Sequence, residues 1–86
     1  MNQAILIYTT DSWHTFSSRE VIAIATTEKQ RDTLVRRYLR NYPYEKLNRD
    51  EIAAAVKQVQ EFGQTQGLPC DFELDTEEWN LNVILQ

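Results

Sequence analysis

The chain has 86 residues, of which 42% are hydrophobic, and its formal net charge is −4 at pH 7. This length predicts a single domain over residues 1–86, and the apolar fraction is too high for a disordered chain. The acidic total argues against nucleic acid as the main ligand, and the one cysteine, Cys70, excludes an internal disulfide and a cysteine-rich metal site.

The first predicted element is a strand at residues 4–9, because AILIYT is short, apolar and rich in β-branched residues. This segment is too short for a signal peptide or a membrane span, so we expect a cytoplasmic protein with no membrane partner. A polar loop follows at residues 10–18. An antiparallel pairing with the next strand is the simplest connection.

A second strand is predicted at residues 21–25, where VIAIA is an unbroken apolar run typical of a central strand. Thr27 then predicts the N-cap of a helix, with Gln30 completing a capping box. Asn41 and Pro43 end this helix. With the helical period of 3.6, its apolar face consists of Leu34, Val35, Tyr38, Leu39 and Tyr42.

The clearest local signal starts a second helix. Asn48 and Glu51 have the spacing of a capping box, so the helix begins near Arg49. Either Gly63 or Gly67 ends it as a glycine C-cap. The predicted apolar face of this helix consists of Ile52, Ala55, Val56, Val59 and Phe62.

The last segment, residues 68–86, alternates between apolar and polar residues but changes parity near Thr76. Such a change requires either a β-bulge or a tight turn, so one long bulged strand and a hairpin of two strands both remain open. The apolar positions are even in Phe72 and Leu74 and odd in Trp79, Leu81, Val83 and Leu85.

These elements predict an α+β fold in two layers, with the order β-β-α-α-β and a possible fourth strand at the end. The sheet is expected to be mainly antiparallel, with both helices on one face. An apolar second face needs a cover. The first loop, the C-terminal segment and a second subunit are the three alternatives.

Three stretches resemble a group of short uncharacterised bacterial proteins: ILIYTTDSWHTFSS, VIAIATTEKQ and EFGQTQGLPCDFELD. Together they cover most of the chain. The resemblance implies a small stand-alone protein from a bacterial chromosome or mobile element. It implies no activity and no functional residues.

The first loop holds the residue types of a Ser–His–Asp set, which is defined by spatial geometry. Its spacing fixes no such geometry, and the same residues are common in loops. We therefore predict a non-enzymatic protein with no catalytic residue, no cofactor and no metal ion. The residues that raise the possibility of a hydrolase are Asp11, Ser12, His14, Ser17 and Ser18.

The aromatic residues predict a protein interface. Trp13, His14 and Phe16 either form a contact patch or cover one end of the sheet. Trp79 belongs to an apolar segment that either pairs at a sheet edge with a second copy or lies beneath the two helices. The leading hypothesis is therefore a protein-interaction or regulatory module that acts as a homodimer.

Charge is unevenly distributed along the chain. Residues 28–49 hold seven basic and three acidic residues, a net charge of +4, whereas residues 71–86 hold five acidic residues and no basic one. These regions can pair within one fold or between copies. The alternative hypothesis is a nucleic-acid-binding accessory protein that uses the basic face of the first helix, Lys29, Arg36, Arg37 and Arg40.

Overall fold

The computed structural model describes residues 3–44 and 46–80. The elements are β1 (Gln3–Thr10), a 3₁₀ turn (Phe16–Ser18), β2 (Glu20–Ala25), α1 (Glu28–Arg40), α2 (Arg49–Phe62) and β3 (Glu73–Asn80). The strands form an antiparallel sheet in the order β2-β1-β3, and both helices pack on one of its faces. The predicted α+β architecture and its element order are confirmed.

The prediction that residues 21–25 form the central strand is wrong, because β1 occupies the centre of the described sheet. A β-bulge explains the unbroken apolar run. The register of β2 shifts between its pairings with Ile7 and Tyr8, so Ile22 is an extra residue. A bulge turns side chains away from strict alternation. Both Ile22 and Ala23 consequently pack against the core.

Strand β3 pairs with β1 along its whole length without a register shift. The bulge or turn expected near Thr76 is therefore absent from this strand. The change in parity reflects a change in which face is apolar: Leu74 packs in the core, whereas Trp79 projects to the opposite side of the sheet. The predicted alternation and the possible fourth strand at residues 81–86 lie outside the described residues.

Helix α1 begins as predicted, because the hydroxyl of Thr27 accepts a hydrogen bond from the amide of Gln30 at 3.1 Å. The side chain of Gln30 accepts from the amide of Thr26 instead of completing a capping box on Thr27. Asn41 is the C-cap. The predicted apolar face is confirmed, with Val35 and Leu39 buried and Leu34, Tyr38 and Tyr42 half-buried.

An ion pair within α1, between Arg31 and Asp32, is linked to α2 by a hydrogen bond. The guanidinium of Arg31 donates from Nη2 and Nε to one oxygen of Asp32, both at 3.1 Å. The other oxygen of Asp32 accepts a hydrogen bond from Gln60 of α2 at 2.8 Å. Asp32 and Arg36 have the i,i+4 spacing of a helical ion pair, but Asp32 is bonded to Arg31 and Gln60 instead.

Helix α2 has the predicted capping box: Asn48 Oδ1 accepts from the Glu51 amide, and the Glu51 carboxylate accepts from the Asn48 amide, both at 2.8 Å. The helix ends at Gly63, whose φ of 75° is left-handed and favours glycine. The prediction that Phe62 belongs to the buried apolar face of α2 is wrong. Its side chain, at the last position of the helix, is 72% exposed.

The hydrophobic core lies between the sheet and the two helices. Both helices contribute to it, so the two layers hold each other in place. None of the described helices has the length and apolar character to cross a membrane. The buried residues of the main cluster are Ile7, Val35, Leu39, Leu47, Ala55, Val56, Phe72 and Leu74.

Candidate functional site

The face of the sheet that points away from the helices is the first candidate surface, and we call it the open face. Residues paired in an antiparallel sheet project to the same side. Leu6 lies between Ile24 and Glu77 in this way, whereas Ile5 and Ile7 project towards the helices. The open face consists of Ala4, Leu6, Tyr8, Val21, Ile24, Asp75, Glu77 and Trp79.

Much of the apolar surface of the open face is accessible to water. Val21 is 49% exposed, Ile24 is 60% exposed and Trp79 is 43% exposed. The solvated face of an antiparallel sheet is ordinarily polar. An exposed apolar patch that spans neighbouring strands is typical of an interaction site.

Arg19 covers the part of the open face near Tyr8. Its guanidinium donates to Asp75 at 3.0 Å and to Glu77 at 2.9 Å, and lies 4.8 Å from the centre of the Tyr8 ring and 5.1 Å from that of Phe16. These carboxylates, Glu77 foremost, hold the pKa of Arg19 above its usual value. Arg19 thus offsets one of these two carboxylate charges, and the three groups together keep a formal charge of −1.

The predicted contact residues of the first loop have separate surroundings. Trp13 and Phe16 are exposed, whereas His14 is half-buried. Phe16 extends the open face through its contact with Arg19. Trp13 and Phe16 are therefore exposed and do not close the end of the sheet, and the contact patch stays a prediction.

Trp79 lies on the open face, so the expectation that it is buried beneath the helices is wrong. The outer edge of β3 is partly occupied by the chain itself. Thr65 exchanges hydrogen bonds with Leu74, and the amide of Thr76 donates to the carbonyl of Gly63 at 2.9 Å. A second copy would therefore meet a free face more readily than a free edge at this strand.

His14 joins the first loop to the turn that precedes β3. Its Nε2 lies 3.2 Å from Oε1 of Gln66, and its Nδ1 lies 3.4 Å from Oγ1 of Thr10 and 4.0 Å from a carboxylate oxygen of Asp75. The residue has a left-handed φ of 56°. These contacts give His14 a role in positioning two loops beside the open face.

The carboxylate of Asp11 accepts hydrogen bonds from the amides of Trp13 and Thr15 and from the Thr15 hydroxyl. The bond to the Thr15 hydroxyl contributes most to lowering the pKa of Asp11. The hydroxyl of Ser18 is bonded to the loop backbone. Within the described residues, Asp11, His14 and Ser18 therefore do not assemble a Ser–His–Asp set. The described residues also contain no group of acidic, histidine and cysteine side chains that could hold a metal ion.

Glu73 organises the turn next to this cluster, and sequence patterns gave no sign of it. The side chain is only 5% exposed. Its carboxylate accepts from the Thr65 hydroxyl at 2.8 Å, the Gly67 amide at 2.9 Å and the Leu68 amide at 3.2 Å. A buried acidic residue of this kind fixes loop geometry, because its carboxylate holds one buried hydroxyl and two backbone amides in a single arrangement.

A second candidate surface lies between the helices, and we call it the arginine cleft. Arg36 and Arg40 of α1 and Arg49 of α2 surround a cavity of about 490 Å³. Its apolar lining consists of Leu47, Ile52 and Ala53. Among the described residues, no ion pair neutralises any of the three arginines.

The structure divides the basic face that the sequence predicted. Arg36 and Arg40 line the arginine cleft together with Arg49, which the prediction omitted. Arg37 instead lines a groove between β2 and α1, and Lys29 lies in the first turn of α1, outside both cavities. Helix–helix packing joins Arg49 to the set.

The groove between β2 and α1 has a volume of about 420 Å³, and we call it the aromatic groove. Tyr42 lies in its wall, with ring centres 4.9 Å from Phe72 and 5.5 Å from Tyr44. Its hydroxyl donates to Asp71 at 3.0 Å. Burial and, after it, this bond raise the pKa of Tyr42 to about 12.

No family model, no curated protein and no solved structure matches this chain. The functions of the open face and the two cavities therefore follow from their own geometry. The resemblance to short bacterial proteins stays a prediction.

Replacement of Asp71 by asparagine tests the origin of the Tyr42 shift. We expect the pKa of Tyr42 to fall only part of the way from about 12 towards the ordinary tyrosine value of 10.0, because burial remains. The raised pKa means that Tyr42 stabilises the fold below about pH 10 and that this contribution is lost as pH rises towards 12. Tyrosine-selective NMR titration measures the pKa, with Asp50→Asn as the control. An unchanged Tyr42 pKa in Asp71→Asn would contradict the assignment.

Proposed function

We propose that the protein is a non-enzymatic interaction module that acts as a homodimer, with the open face as the contact between two copies. The observation that carries the proposal is the exposure of Val21, Ile24 and Trp79 on one side of the sheet. Removal of such surface from water is the main driving force of association.

The shape of the open face favours a second copy as the partner. Two sheets stack face to face about 10 Å apart, so an exposed apolar sheet surface can pack against another of the same kind. A two-fold axis brings the same patch of both subunits together. Self-association therefore requires no further specialised surface on the molecule.

The charges of the open face are compatible with this arrangement. Asp75 and Glu77 both form ion pairs with Arg19, so association does not bring two sets of unpaired carboxylates together. A burial of unpaired charge would be strongly unfavourable. The pairing with Arg19 reduces the formal charge of these groups to −1 in each copy, so the apolar residues are the main source of association.

The size of the sheet sets the expected affinity. Three strands of eight residues or fewer give a flat footprint of roughly 360 Å², from about 3.3 Å per residue and about 4.8 Å between strands. The projecting side chains and the exposed Phe16 enlarge this footprint. The contact area nevertheless stays at the low end of the range for specific protein–protein interfaces. We therefore expect a dissociation constant on the order of micromolar.

Sedimentation equilibrium over the micromolar range tests this proposal. The apparent mass should rise with concentration from the monomer value of 10.1 kDa to twice that value. Because the contact is apolar, added salt should change the constant little. A mass that stays at the monomer value up to high micromolar concentration would overturn the proposal.

A further inference from the structure

We propose that the arginine cleft binds the phosphodiester backbone of single-stranded nucleic acid. The cleft lies in the helical layer, on the opposite side of the molecule from the open face. A homodimer formed through the open face would leave it accessible. The result for one proposal therefore does not decide the other.

Within the described residues, the three arginines of the cleft have no ion pair of the kind that neighbouring arginines form. Elsewhere on α1 and in the first loop, Arg31 is paired with Asp32 and Arg19 with two carboxylates. In the described part of the chain, Arg36, Arg40 and Arg49 have no such pairing. Several like charges around one cavity repel each other, and a bound anion removes that repulsion.

The position of Arg49 strengthens this argument. It is the first residue of α2, where the helix dipole favours negative charge and disfavours a cation. Asp50 and Glu51 share that turn, but the Glu51 carboxylate is bonded to the amide of Asn48 and lines a different cavity. Arg36 and Arg40 add their charges to that of Arg49, so the three arginines outnumber the two carboxylates of that turn.

The chemistry of the lining points to phosphate. All three cations of the cleft are arginines, whose planar guanidinium groups bind phosphate oxygens through two parallel hydrogen bonds. The apolar lining offers a surface for the sugar and the face of a base. Carboxylates accept the same bonds, but they gain nothing from such a surface.

Neighbouring side chains on the same end of α1 extend the site. Arg37 lines the aromatic groove, and Tyr44 is highly exposed where it lines the same groove. Sequence-tolerant binding of single strands combines a basic channel with aromatic stacking surfaces. Arg37 and Tyr44 supply these features in the aromatic groove, and α1 contributes to both cavities.

The net charge of −4 does not oppose this arrangement, because the cleft has three arginines against the two carboxylates of the first turn of α2, Asp50 and Glu51, and most other acidic residues lie elsewhere. Among residues 71–80, Asp75 and Glu77 are held on the open face by Arg19, and Glu73 is buried in its turn. The field at the cleft is set by nearby groups, since distant charges are screened within about 10 Å at ordinary ionic strength.

Fluorescence anisotropy with a labelled oligothymidylate tests the proposal on the full chain. At low salt we expect a dissociation constant on the order of 10 µM, and a slope of about −2 for log affinity against log salt if three phosphates are contacted. Replacement of Arg36, Arg40 or Arg49 by glutamine should weaken binding about 5–10-fold each and reduce the slope by about 0.7. Lys29→Gln is the matched control, because it removes the same charge from α1 outside the cleft.

Several results would overturn the proposal. The first is no binding at low salt, and the second is an equal loss from Lys29→Gln and Arg49→Gln. The third is equal affinity for polyglutamate of the same charge, which would indicate an acidic polypeptide as the ligand. Circular dichroism of each variant separates loss of binding from loss of fold.

Discussion

Replacement of Glu73 by alanine is expected to lower the free energy of unfolding by about 3–4 kcal/mol. The carboxylate accepts hydrogen bonds from the Thr65 hydroxyl and from the amides of Gly67 and Leu68. Alanine would leave these donors without their acceptor in a part of the chain where Thr65 is fully buried. Unsatisfied buried donors, and not lost apolar area, are the source of the large effect.

Denaturant unfolding measures this loss, and Glu78→Ala is the matched control. Glu78 lies on the same strand and is exposed, with no ion pair to any described residue. Its replacement should change stability by less than about 0.5 kcal/mol. If Glu73→Ala changes stability no more than the control does, water replaces the carboxylate in this turn and the structural role assigned to it is wrong.

Replacement of Glu73 should also change the arrangement of the first loop beside the open face. The turn that it holds contains Gln66, which contacts His14 of the first loop, and that loop supplies Arg19. Chemical shifts of His14 should therefore change in Glu73→Ala but not in the control. This link connects the stability of a buried turn to the arrangement of an exposed surface.

The parts of the fold that the sequence predicts well are those determined by neighbouring residues. The capping box of Asn48 and Glu51 and the N-cap of Thr27 depend on atoms three residues apart. The apolar faces of α1 and α2 depend only on helical periodicity. Phe62 fails this rule because the final turn of α2 extends past the sheet-covered core.

The errors concern contacts between distant segments. An unbroken apolar run such as residues 21–25 has the same pattern in a central strand and in a bulged strand beside the centre. Only the pairing of β1 with both other strands decides between them. The parity change near Thr76 was ambiguous in the same way. A regular strand also produces it when its apolar residues lie on one face at the start and on the opposite face at the end.

The candidate surfaces show the same limit. Phe16 is a predicted contact residue because aromatic residues are enriched at the cores of interfaces, and Trp79 because it belongs to an apolar segment that could pair at a sheet edge. Arg49 was missed because it comes close to Arg36 and Arg40 only when the helices pack. The available signal was a cation in the first turn of a helix, which is electrostatically unfavourable unless something offsets it.

Replacement of Ile24 by lysine is expected to weaken the homodimer at least 100-fold, equivalent to about 3 kcal/mol. The side chain is 60% exposed in one copy, so most of its surface remains to be buried on association. A two-fold interface contains this residue twice, and each copy contributes about 1.5 kcal/mol or more. Each lysine also places an unpaired charge in the contact.

The monomer itself should lose little stability, since exposed positions tolerate substitution. Phe62→Lys is the matched control, because Phe62 is a similarly exposed apolar residue on the helical layer. Sedimentation equilibrium should therefore show a monomer for Ile24→Lys and the parent equilibrium for Phe62→Lys. Equal weakening in both variants would assign the effect to the change in net charge. If Phe62→Lys alone dissociated the dimer, the contact would lie on the helical layer and not on the open face.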